Sequence, residues 1–578
     1  MADTPGRREG TYLPWLAPLA AGLLTLAVYC TASRGVFLPT WDDDTNFLNN
    51  PSYRGLGWAQ LRWMFTTVRM GPYQPLSWLT YALDYSVWGM DPFGYHLTNI
   101  LIHAANAVLF YIVSLSLLAK GRASPEDRLG ALCAALFFSV HPLRVEAVAW
   151  VSARGHMLSA SFFLLSLLCW LGAAEPENAP LFRRPAAWSF YLMALLSKAT
   201  ALSLPAVLVL LDIYPLRRLP ADPRQWLSPR CRGLWREKLP FFLTALAFAM
   251  IEIWARFKAH SLRSLSQAGS LERLTQALLG LGYYLEKTLI PARLSPDQLA
   301  WPWAVSRGPY LLAGASVAAV SAACIAARKR RPAGLAAYAF YAITLIPVLG
   351  LLKVGHETVA ARYSYVPCLG WALLAGAGLR DLARAGRAEG GVGKAFIPAF
   401  ACAAAVLALL SFESRRQIPA WHDSIALWRS VLRLEPTHPL ARRDLGVALL
   451  AQDRVSEAAL VWQEHLKLFP RDEETRKVLQ DVLAKAWRVR PTTAALCDGA
   501  GVDLIKRGEL ERAVWFFNKA LKTDPGFVRG HDHLGVALTR LGRYDEALAH
   551  FESALRLKPG DRAARAGLGL AKTLKGRG

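Results

Sequence analysis

Three consecutive carboxylates follow the first long apolar run of the sequence. Residues 40–50 read TWDDDTNFLNN, which places Asp42, Asp43 and Asp44 side by side. Neighbouring acids repel one another, and none of them anchors a helix end in lipid. They form either a solvated turn in which one carboxylate caps a short helix, or an acidic site that faces a cavity near a membrane surface. An EF-hand is excluded, because its glycine and its distal glutamate are missing.

A polar stripe occupies the apolar segment that begins near residue 95. His96, Asn99, His103 and Asn106 recur at steps of three, four and three, which places them on one face of a helix. In a membrane helix such a face turns to the bundle interior or to a wet cavity. Hydrogen bonding between helices and contact with a substrate both remain open. The two histidines lie two turns apart, about 10 Å, which is too far for them to share one metal ion.

Three further connections between apolar segments carry charged and aromatic side chains. They are VHPLRVEAVAWVSARGHML, a short turn at Lys198, and GHETVAARYSYVP. The candidate residues in them are His141, Arg144, Glu146, Arg154, His156, Lys198, His356, Glu357, Arg362, Tyr363 and Tyr365. These groups could pair with one another at the surface, or Arg362 could reach lipid headgroups. Its guanidinium could instead bind a phosphate through its planar fork.

The composition predicts a membrane part followed by a soluble part. Of the 578 residues, 53% are hydrophobic and 19% are charged, and the mean hydropathy is +0.23. This is too apolar for a soluble protein of this length and too charged for one embedded throughout. The net charge of +24 does not indicate nucleic-acid binding, because Lys and Arg concentrate in short connections between apolar segments. The eight cysteines include no CxxC pair, so neither a zinc site nor a disulfide framework is supported.

About eleven apolar segments are each close to the ~20 residues that a transmembrane helix needs. They lie near residues 11–33, 95–118, 129–142, 156–174, 187–200, 201–215, 239–257, 309–327, 333–352, 364–380 and 394–412. The first is long for a signal-peptide core and has no clear cleavage site, so we expect a retained span. The segment 274–290 is predicted to be an interfacial helix.

The charges of the connections predict the orientation of these spans. With a cytoplasmic N-terminus, the cytoplasmic connections are the basic stretches KGRASPEDR, LFRRP, 217–238, RKRRP and RDLARAGRAEGGVGK. The long loop 34–94, which holds the three aspartates, and the loop 353–367 then lie on the opposite side. The Ala-, Arg- and Gly-rich composition and the lack of targeting signals favour a bacterial inner membrane.

A repeat of 34 residues characterises the last part of the sequence. Gly501, Gly535 and Gly569 lie 34 residues apart. Small residues where two antiparallel helices touch, with a proline closing each unit, are typical of tetratricopeptide repeats. Such units stack into a superhelix with a concave binding face. We therefore expect a transmembrane domain over 1–412 and a repeat domain over 413–578, on the same side of the membrane as the aspartates.

These stretches together resemble the transmembrane and tetratricopeptide repeat-containing family. The matching segments are WDDDTNFLNNP, QPLSWLTYALDYSVWGMDPFGYHLTNILIHAAN, HPLRVEAVAWVSARGHMLS, SKATALSLPAVLVLLDIYP, ARYSYVP and RRQIPAWHDSIALWRSVLRLEPTHP. The family is similar to C-type (GT-C) glycosyltransferases with an appended repeat domain. The resemblance implies an all-α fold, in which a polytopic, GT-C-like bundle of about eleven spans precedes a tetratricopeptide-repeat solenoid. The sequence departs from the family pattern at Asp44, at Gln74 and at RGH in 154–156.

The resemblance also implies a membrane enzyme. It would move a sugar, a hexose such as mannose, from a polyprenyl-phosphate carrier to an acceptor hydroxyl, such as that of a protein Ser or Thr, with inversion. By match to the acid pair in the family's first external loop, Asp42 is our first choice for the catalytic base and Asp43 is its partner. Two acids side by side would raise one pKa and strengthen that base.

The remaining implied contacts concern the donor and the acceptor. Arg362, with Arg154 or Lys198, would stabilise the phosphate leaving group. We predict that further substrate and lipid-phosphate contacts come from His96, His141, Arg144, Glu146, His356 and Tyr363. No resident metal ion or cofactor is predicted; the external acids could bind a divalent cation, although no ligand spacing requires one. The partners would be the lipid-linked donor and a protein bound by the repeats, and not a nucleic acid.

Two other functions remain open. In a membrane-anchored scaffold the repeats would be the working part, but an anchor needs only one span. A transporter of a lipid-linked sugar would place ionisable residues at mid-membrane, whereas the acids considered above lie at span ends.

Overall fold

The computed structural model describes residues 15–119, 121–173, 182–259, 269–297, 308–350, 359–388, 395–486 and 493–576. These residues form helices and no strands, so the all-α prediction is confirmed. The chain divides into two compact units, Met1–Asp423 and Ser424–Gly578. The predicted boundary after residue 412 falls inside the helix Phe396–Gln417, so the first unit extends further than predicted.

The first unit contains fifteen α-helices within its described residues. They are α1 Leu16–Tyr29, α2 Trp58–Thr66, α3 Pro75–Trp88, α4 Pro92–Leu118, α5 Pro125–Ser139, α6 Val145–Ala149, α7 Arg154–Ala173, α8 Arg183–Ser197, α9 Leu204–Ile213, α10 Arg232–Lys258, α11 Ser270–Leu289, α12 Gly308–Ala327, α13 Pro332–Leu345, α14 Leu369–Ala388 and α15 Phe396–Gln417. Proline opens α3, α4, α5 and α13, where its missing N–H would have no helical partner anyway. Ser124 and Asp127 form a capping box at the start of α5.

Six helices of the described chain are long and apolar enough to cross a membrane. They are Leu16–Arg34, Pro92–Leu118, Val151–Ala173, Pro229–Lys258, Gly308–Ala327 and Phe396–Trp421. The helices Pro125–Ser139 and Pro142–Ala149, which are bent by 57° relative to each other, would together form a seventh span. Within the described residues, length and composition therefore support six or seven spans, compared with about eleven predicted for the whole sequence.

The other predicted spans fall on helices that are too short or too polar. α8 has 15 residues and α9 has 10, about 22 and 15 Å at 1.5 Å per residue, short of the ~30 Å hydrocarbon core. They are separate because the backbone is extended at Lys198, between them. α14 has 20 residues, but its second half carries Arg380, Asp381 and Arg384. A hydropathy window cannot detect the break at Lys198, because it averages over neighbouring residues.

The helices α4, α5, α7 and α14 pack against one another inside the first unit. Small residues let α5 and α14 approach closely. A methyl group on Gly130 would lie 2.7 Å from the carbonyl oxygen of Gly376 and 2.9 Å from the Cβ of Arg380. At the end of this contact, Arg384 donates two hydrogen bonds of 2.8 Å to Asp127. The pair is thus held by close backbone contact and by an ion pair.

The predicted interfacial helix corresponds to α11, which packs along α12. A methyl group on Gly282 would lie 2.5 Å from the Cβ of Ala313, so glycine permits this contact. The Tyr284 hydroxyl donates a 3.0 Å hydrogen bond to the Ala360 carbonyl and is buried. Glu272 and Glu286 of the same helix are exposed. α11 is therefore amphipathic, and its interfacial location stays a prediction.

The second unit consists of paired helices. They are α16 Ser424–Leu434, α17 Ala441–Ala451, α18 Val455–Leu468, α19 Glu473–Ala486, α20 Thr493–Lys506, α21 Leu510–Thr523, α22 Val528–Arg540, α23 Tyr544–Leu557 and α24 Arg562–Lys575. Two of the three repeated glycines lie where paired helices cross. A methyl group on Gly535 would lie 2.7 Å from the ring of Phe551, and Gly501 faces Phe517 in the same way. The repeat prediction is confirmed.

Candidate active site

A cavity of about 390 Å³ opens among separate segments of the first unit. Its walls come from the first loop (34–94), the connection before α7 (residues 150–153), the turn before α9 (residues 198–202), helix α10 and the segment that follows residue 359. Its charged and polar lining includes Asp42, Asn46, Gln74, Ser152, His156, Lys198, Thr200, Glu252, Arg256, Gln276, Arg362 and Tyr363. Five of these residues are candidates from the sequence: Asp42, His156, Lys198, Arg362 and Tyr363.

The three adjacent aspartates have three different environments. Asp42 lines the cavity. Asp43 is fully buried and accepts hydrogen bonds from the Leu38 backbone N–H at 2.9 Å, the Trp150 indole at 3.0 Å and the Ser152 hydroxyl at 2.6 Å. Asp44 accepts from the backbone and the hydroxyl of the next residue, at the start of a π-helical turn. Asp44 thus lies in a turn, as one interpretation of the sequence expects, but its side chain does not cap the helix, and Asp42 faces the cavity of the other interpretation.

Burial raises the pKa of the Asp43 carboxyl from 3.8 to about 7. The three donors from Ser152, Leu38 and Trp150 oppose this shift, and the neighbouring Asp42 adds to it. Adjacent acids thus contribute to the raised pKa, as the sequence analysis expected, but burial is the larger cause. The main role visible for Asp43 is to tie the first loop to the connection before α7.

Arg362 is held at the cavity wall by a buried carboxylate. Its guanidinium donates to Glu146, and its backbone N–H lies 3.2 Å from the same carboxylate. The guanidinium lies 5.2 Å from the ring centre of Trp150 and 4.8 Å from that of Tyr363. Glu146 therefore positions Arg362 rather than lining the cavity itself. His356, predicted in the same loop, lies outside the described residues.

Lys198 reaches the cavity from the turn between α8 and α9. Its ammonium donates a 3.1 Å hydrogen bond to the Gln74 side chain. Gln74, where the sequence departs from the family pattern, also lines the cavity. The two side chains link the first loop to this turn, and the positive charge of Lys198 faces the same space as Asp42.

Arg154 is enclosed by protein groups away from the cavity. It pairs with Asp84 at 2.5 Å, and it donates to the Asn99 side chain at 2.7 Å and to the Tyr95 carbonyl at 2.9 Å. Its guanidinium also lies 4.4 Å from the ring centre of Tyr81. With its donors engaged and its side chain fully buried, Arg154 is not available to bind a phosphate, so we do not retain that predicted role.

Three of the four residues in the polar stripe of α4 make hydrogen bonds to neighbouring segments. Asn99 donates to backbone carbonyls before α7 at 3.1 and 3.3 Å. His103 lies 2.6 Å from the Tyr365 hydroxyl, and Asn106 donates to a carbonyl of α7 at 2.9 Å. None of these residues lines the cavity. Asn99, His103 and Asn106 thus fit the interhelical alternative left open by the sequence.

Three other predicted contact residues are also buried outside the cavity. His96 packs against Gly35, where a methyl group would lie 2.9 Å from its ring. His141 lies 3.2 Å from the Thr288 carbonyl and caps the short helix that follows it. Arg144 donates to the Ser364 hydroxyl at 2.6 Å. Substrate contact by these three residues would need a different arrangement of their surroundings.

Two charged residues of the cavity were missed by the sequence analysis. Glu252 and Arg256 lie one turn apart on α10 and both face the cavity. Their signal was present, because ionisable residues inside an apolar span mark functional positions. In the described part of the chain, no group of three or more His, Cys, Asp or Glu side chains could hold a metal ion.

Comparisons with known proteins agree with the family resemblance. Residues 421–473 and 528–561 match family models described as tetratricopeptide repeat. The chain is 26% identical over 527 residues to Protein O-mannosyl-transferase TMTC1 of Homo sapiens, which covers 81% of this chain and 57% of the relative. It is 23% identical over 471 residues to Protein O-mannosyl-transferase Tmtc3 of Drosophila melanogaster, covering 68% and 48%. The chain thus spans about half the length of these curated relatives.

A solved structure gives a weaker likeness. ArnT from Cupriavidus metallidurans bound to undecaprenyl phosphate is 15% identical, with 74% of this chain and 72% of that chain covered and a TM-score of 0.32. That TM-score is too low to establish a shared fold. The GT-C-like arrangement of the bundle therefore stays a prediction, whereas the homologues are TMTC protein O-mannosyl-transferases, as the sequence motifs indicated.

Proposed function

We propose that this chain is an integral membrane glycosyltransferase that moves mannose from a polyprenyl phosphate to the hydroxyl of a protein Ser or Thr. The observation that carries the proposal is the placement of Asp42, Lys198 and Arg362 around one cavity. A carboxylate that accepts a proton and cations that stabilise a departing phosphate are the groups this reaction needs. The names of the homologous protein O-mannosyl-transferases support the same chemistry.

In the proposed reaction, the acceptor hydroxyl oxygen attacks the anomeric carbon of the sugar. Asp42 accepts the hydroxyl proton while the new bond forms. The bond between the anomeric carbon and the phosphate oxygen breaks, and its electron pair leaves with the polyprenyl phosphate. Arg362 and Lys198 stabilise the charge that develops on this phosphate. A single displacement inverts the anomeric carbon.

The proposed setting is a bacterial inner membrane. The N-terminus would be cytoplasmic, and the loop with Asp42 and the repeat unit would lie outside the cytoplasm, as the basic connections suggest. The repeats would bind the acceptor protein or a partner on their concave face. A divalent cation has no candidate ligand cluster among the described residues, so the reaction above is written with protein groups only.

Replacing Asp42 by Asn tests the proposed function. We expect kcat to fall about 10²- to 10⁴-fold, because the variant lacks the base. Transfer is measured from undecaprenyl phosphate mannose, and mass spectrometry detects hexose on Ser or Thr of extracytoplasmic proteins. Asp44→Asn is the matched control, since Asp44 does not line the cavity. Transfer by Asp42→Asn at the wild-type rate would refute the assignment.

One observation favours a second candidate, a transporter of lipid-linked sugar. Glu252 and Arg256 lie inside an apolar helix and face the cavity, as ionisable residues of transporters do. Liposomes containing the purified chain and undecaprenyl phosphate mannose separate the two functions. Movement of the lipid across the bilayer without transfer of mannose to any acceptor would support the transporter.

A further inference from the structure

Glu252 is a buried carboxylate in the cavity wall whose hydrogen-bonding capacity is largely unused. Its side chain is 9% exposed, and neither carboxylate oxygen has a hydrogen-bond partner. The nearest cation is Arg256, whose Nε lies 4.0 Å from the carboxylate. The Tyr73 backbone N–H and Lys198 are the other positive groups that act on this carboxylate. A buried carboxylate whose oxygens lack well-formed hydrogen bonds is unfavourable, so a ligand that brings donors would stabilise it.

The charges around Glu252 limit the chemistry of that ligand. Arg256 is adjacent, and Lys198 faces the same space. A metal ion or an amine there would be repelled by these cations, while a phosphate would be repelled by Glu252 itself. A neutral molecule with several hydroxyl groups fits both signs, because it donates to the carboxylate and accepts from the guanidinium. A sugar is such a molecule.

We propose that Glu252 and Arg256 bind the hydroxyl groups of the donor sugar. Glu252 accepts hydrogen bonds from sugar hydroxyls, and Arg256, one helical turn away on α10, donates to sugar oxygens. The phosphate of the donor then lies toward Lys198 and Arg362, on other walls of the cavity. This inference rests on the proposed function, since it requires the sugar donor to enter this cavity.

Binding measurements with Glu252→Gln test this role. The probes are undecaprenyl phosphate mannose and undecaprenyl phosphate, each bound to the chain in nanodiscs. We expect about 10- to 100-fold weaker binding of the sugar lipid, which corresponds to one charge-assisted hydrogen bond. Undecaprenyl phosphate should bind as tightly as to the wild type, and this also reports that the variant is folded. Glu286→Gln is the matched control, because the Glu286 side chain is 57% exposed and pairs with Lys287.

Deoxy sugars test the same contact from the side of the ligand. Lipid-linked mannose that lacks single hydroxyls is bound to the wild type and to Glu252→Gln. We expect at least one deoxy analogue to lose about 10-fold or more in the wild type and nothing further in the variant. Equal losses in both proteins, or unchanged binding of the sugar lipid to the variant, would overturn the inference. The inference would also be overturned if Glu252→Gln changed only the KM for the acceptor.

These outcomes separate this inference from the proposed function. If the wild type binds the sugar lipid through Glu252 but transfers no sugar, the transferase proposal fails and the sugar site stands. If the wild type transfers mannose and Glu252→Gln does so with the same donor affinity, the sugar site fails and the transferase proposal stands.

Discussion

The adjacent residues Asp42, Asp43 and Asp44 occupy three different environments: a cavity wall, a buried hydrogen-bonded site and a local turn. The sequence could predict an acidic site in this loop, because three acids after an apolar run have no structural benefit in lipid. It could not assign the individual carboxylates. The partners of Asp43 at Trp150 and Ser152 lie 107 and 109 residues away, so only the tertiary fold reveals them.

Replacing Asp43 by Ala should destabilise the first unit by about 1–3 kcal/mol at acidic pH, because three buried donors lose their acceptor. The pKa of Asp43 rises from 3.8 to about 7 on folding. A raised carboxyl pKa adds stability that is complete below pH 4 and is lost as the pH rises toward 7. The difference in melting temperature between wild type and Asp43→Ala should therefore shrink from pH 4 to pH 7.

Thermal unfolding in detergent at several pH values measures this difference. Asp44→Ala is the control for the loss of one carboxylate from the same loop, since the Asp44 side chain accepts its hydrogen bonds from the neighbouring Thr45 and not from a distant segment. A difference between wild type and Asp43→Ala that grows with pH over this range would contradict the assigned environment of Asp43.

Glu146→Gln should lower kcat/KM for the lipid-linked donor about 10- to 100-fold, if Arg362 stabilises the leaving phosphate. Glutamine has no charge to hold the Arg362 guanidinium at the cavity wall. Glu146→Asp should recover part of the loss, because it keeps the charge at a shorter reach. Transfer kinetics provide the measurement, with Asp381→Asn, an exposed carboxylate, as control. If kcat/KM for the donor were unchanged in Glu146→Gln, Arg362 would not have the proposed role in stabilising the leaving phosphate.

At the scale of helices, the sequence predicted where helices occur better than how far they extend. Each apolar segment corresponds to a helix, because hydropathy and helical content depend on local composition. The interruption between α8 and α9 at Lys198 does not depend on local composition in this way. The same limitation applies to Glu252, because its location in a cavity depends on how α10 packs with other segments.

The close contact of α5 and α14 predicts opposite effects for two glycines of one helix. A methyl group on Gly376 would collide with the Gly130 backbone and lie 2.9 Å from the Cβ of Ala134, whereas one on Gly378 would meet nothing within 4 Å. Gly376→Ala should therefore destabilise the chain by about 1–3 kcal/mol. Gly378→Ala should stabilise it by up to about 1 kcal/mol, because alanine favours a helix. Thermal unfolding in detergent measures both, and equal melting temperatures would contradict the packing.

The repeats allow the same comparison at equivalent positions. A methyl group on Gly535 would lie 2.7 Å from the Phe551 ring, while one on Gly569, 34 residues later, would meet nothing within 4 Å. Gly535→Ala should increase cleavage of the repeat unit in limited proteolysis of the full chain, and Gly569→Ala should not. Similar cleavage of the two variants would show that the terminal helix α24 packs differently.

For the whole molecule, the proposed chemistry depends on compartments. The lipid-linked donor, the loop with Asp42 and the repeats must share one side of the membrane if the repeats deliver an acceptor to the cavity. The periodicity of the repeats and the charges of the connections are visible in the sequence, so the two-part organisation could be predicted. The number of spans could not, and an even number of crossings would place the N-terminus and the repeats on the same side.

Cysteine labelling decides this topology. In a chain whose eight cysteines are replaced, single cysteines at Arg62, Lys329 and Glu552 occupy exposed positions of the first loop, the RKRRP connection and the repeat unit. A membrane-impermeant maleimide added to intact spheroplasts should label positions 62 and 552 and spare position 329, because basic connections stay in the cytoplasm. Permeabilised cells should label all three. Labelling of only one of positions 62 and 552 would separate the acidic loop from the repeats, and the repeats could then not present an acceptor to Asp42.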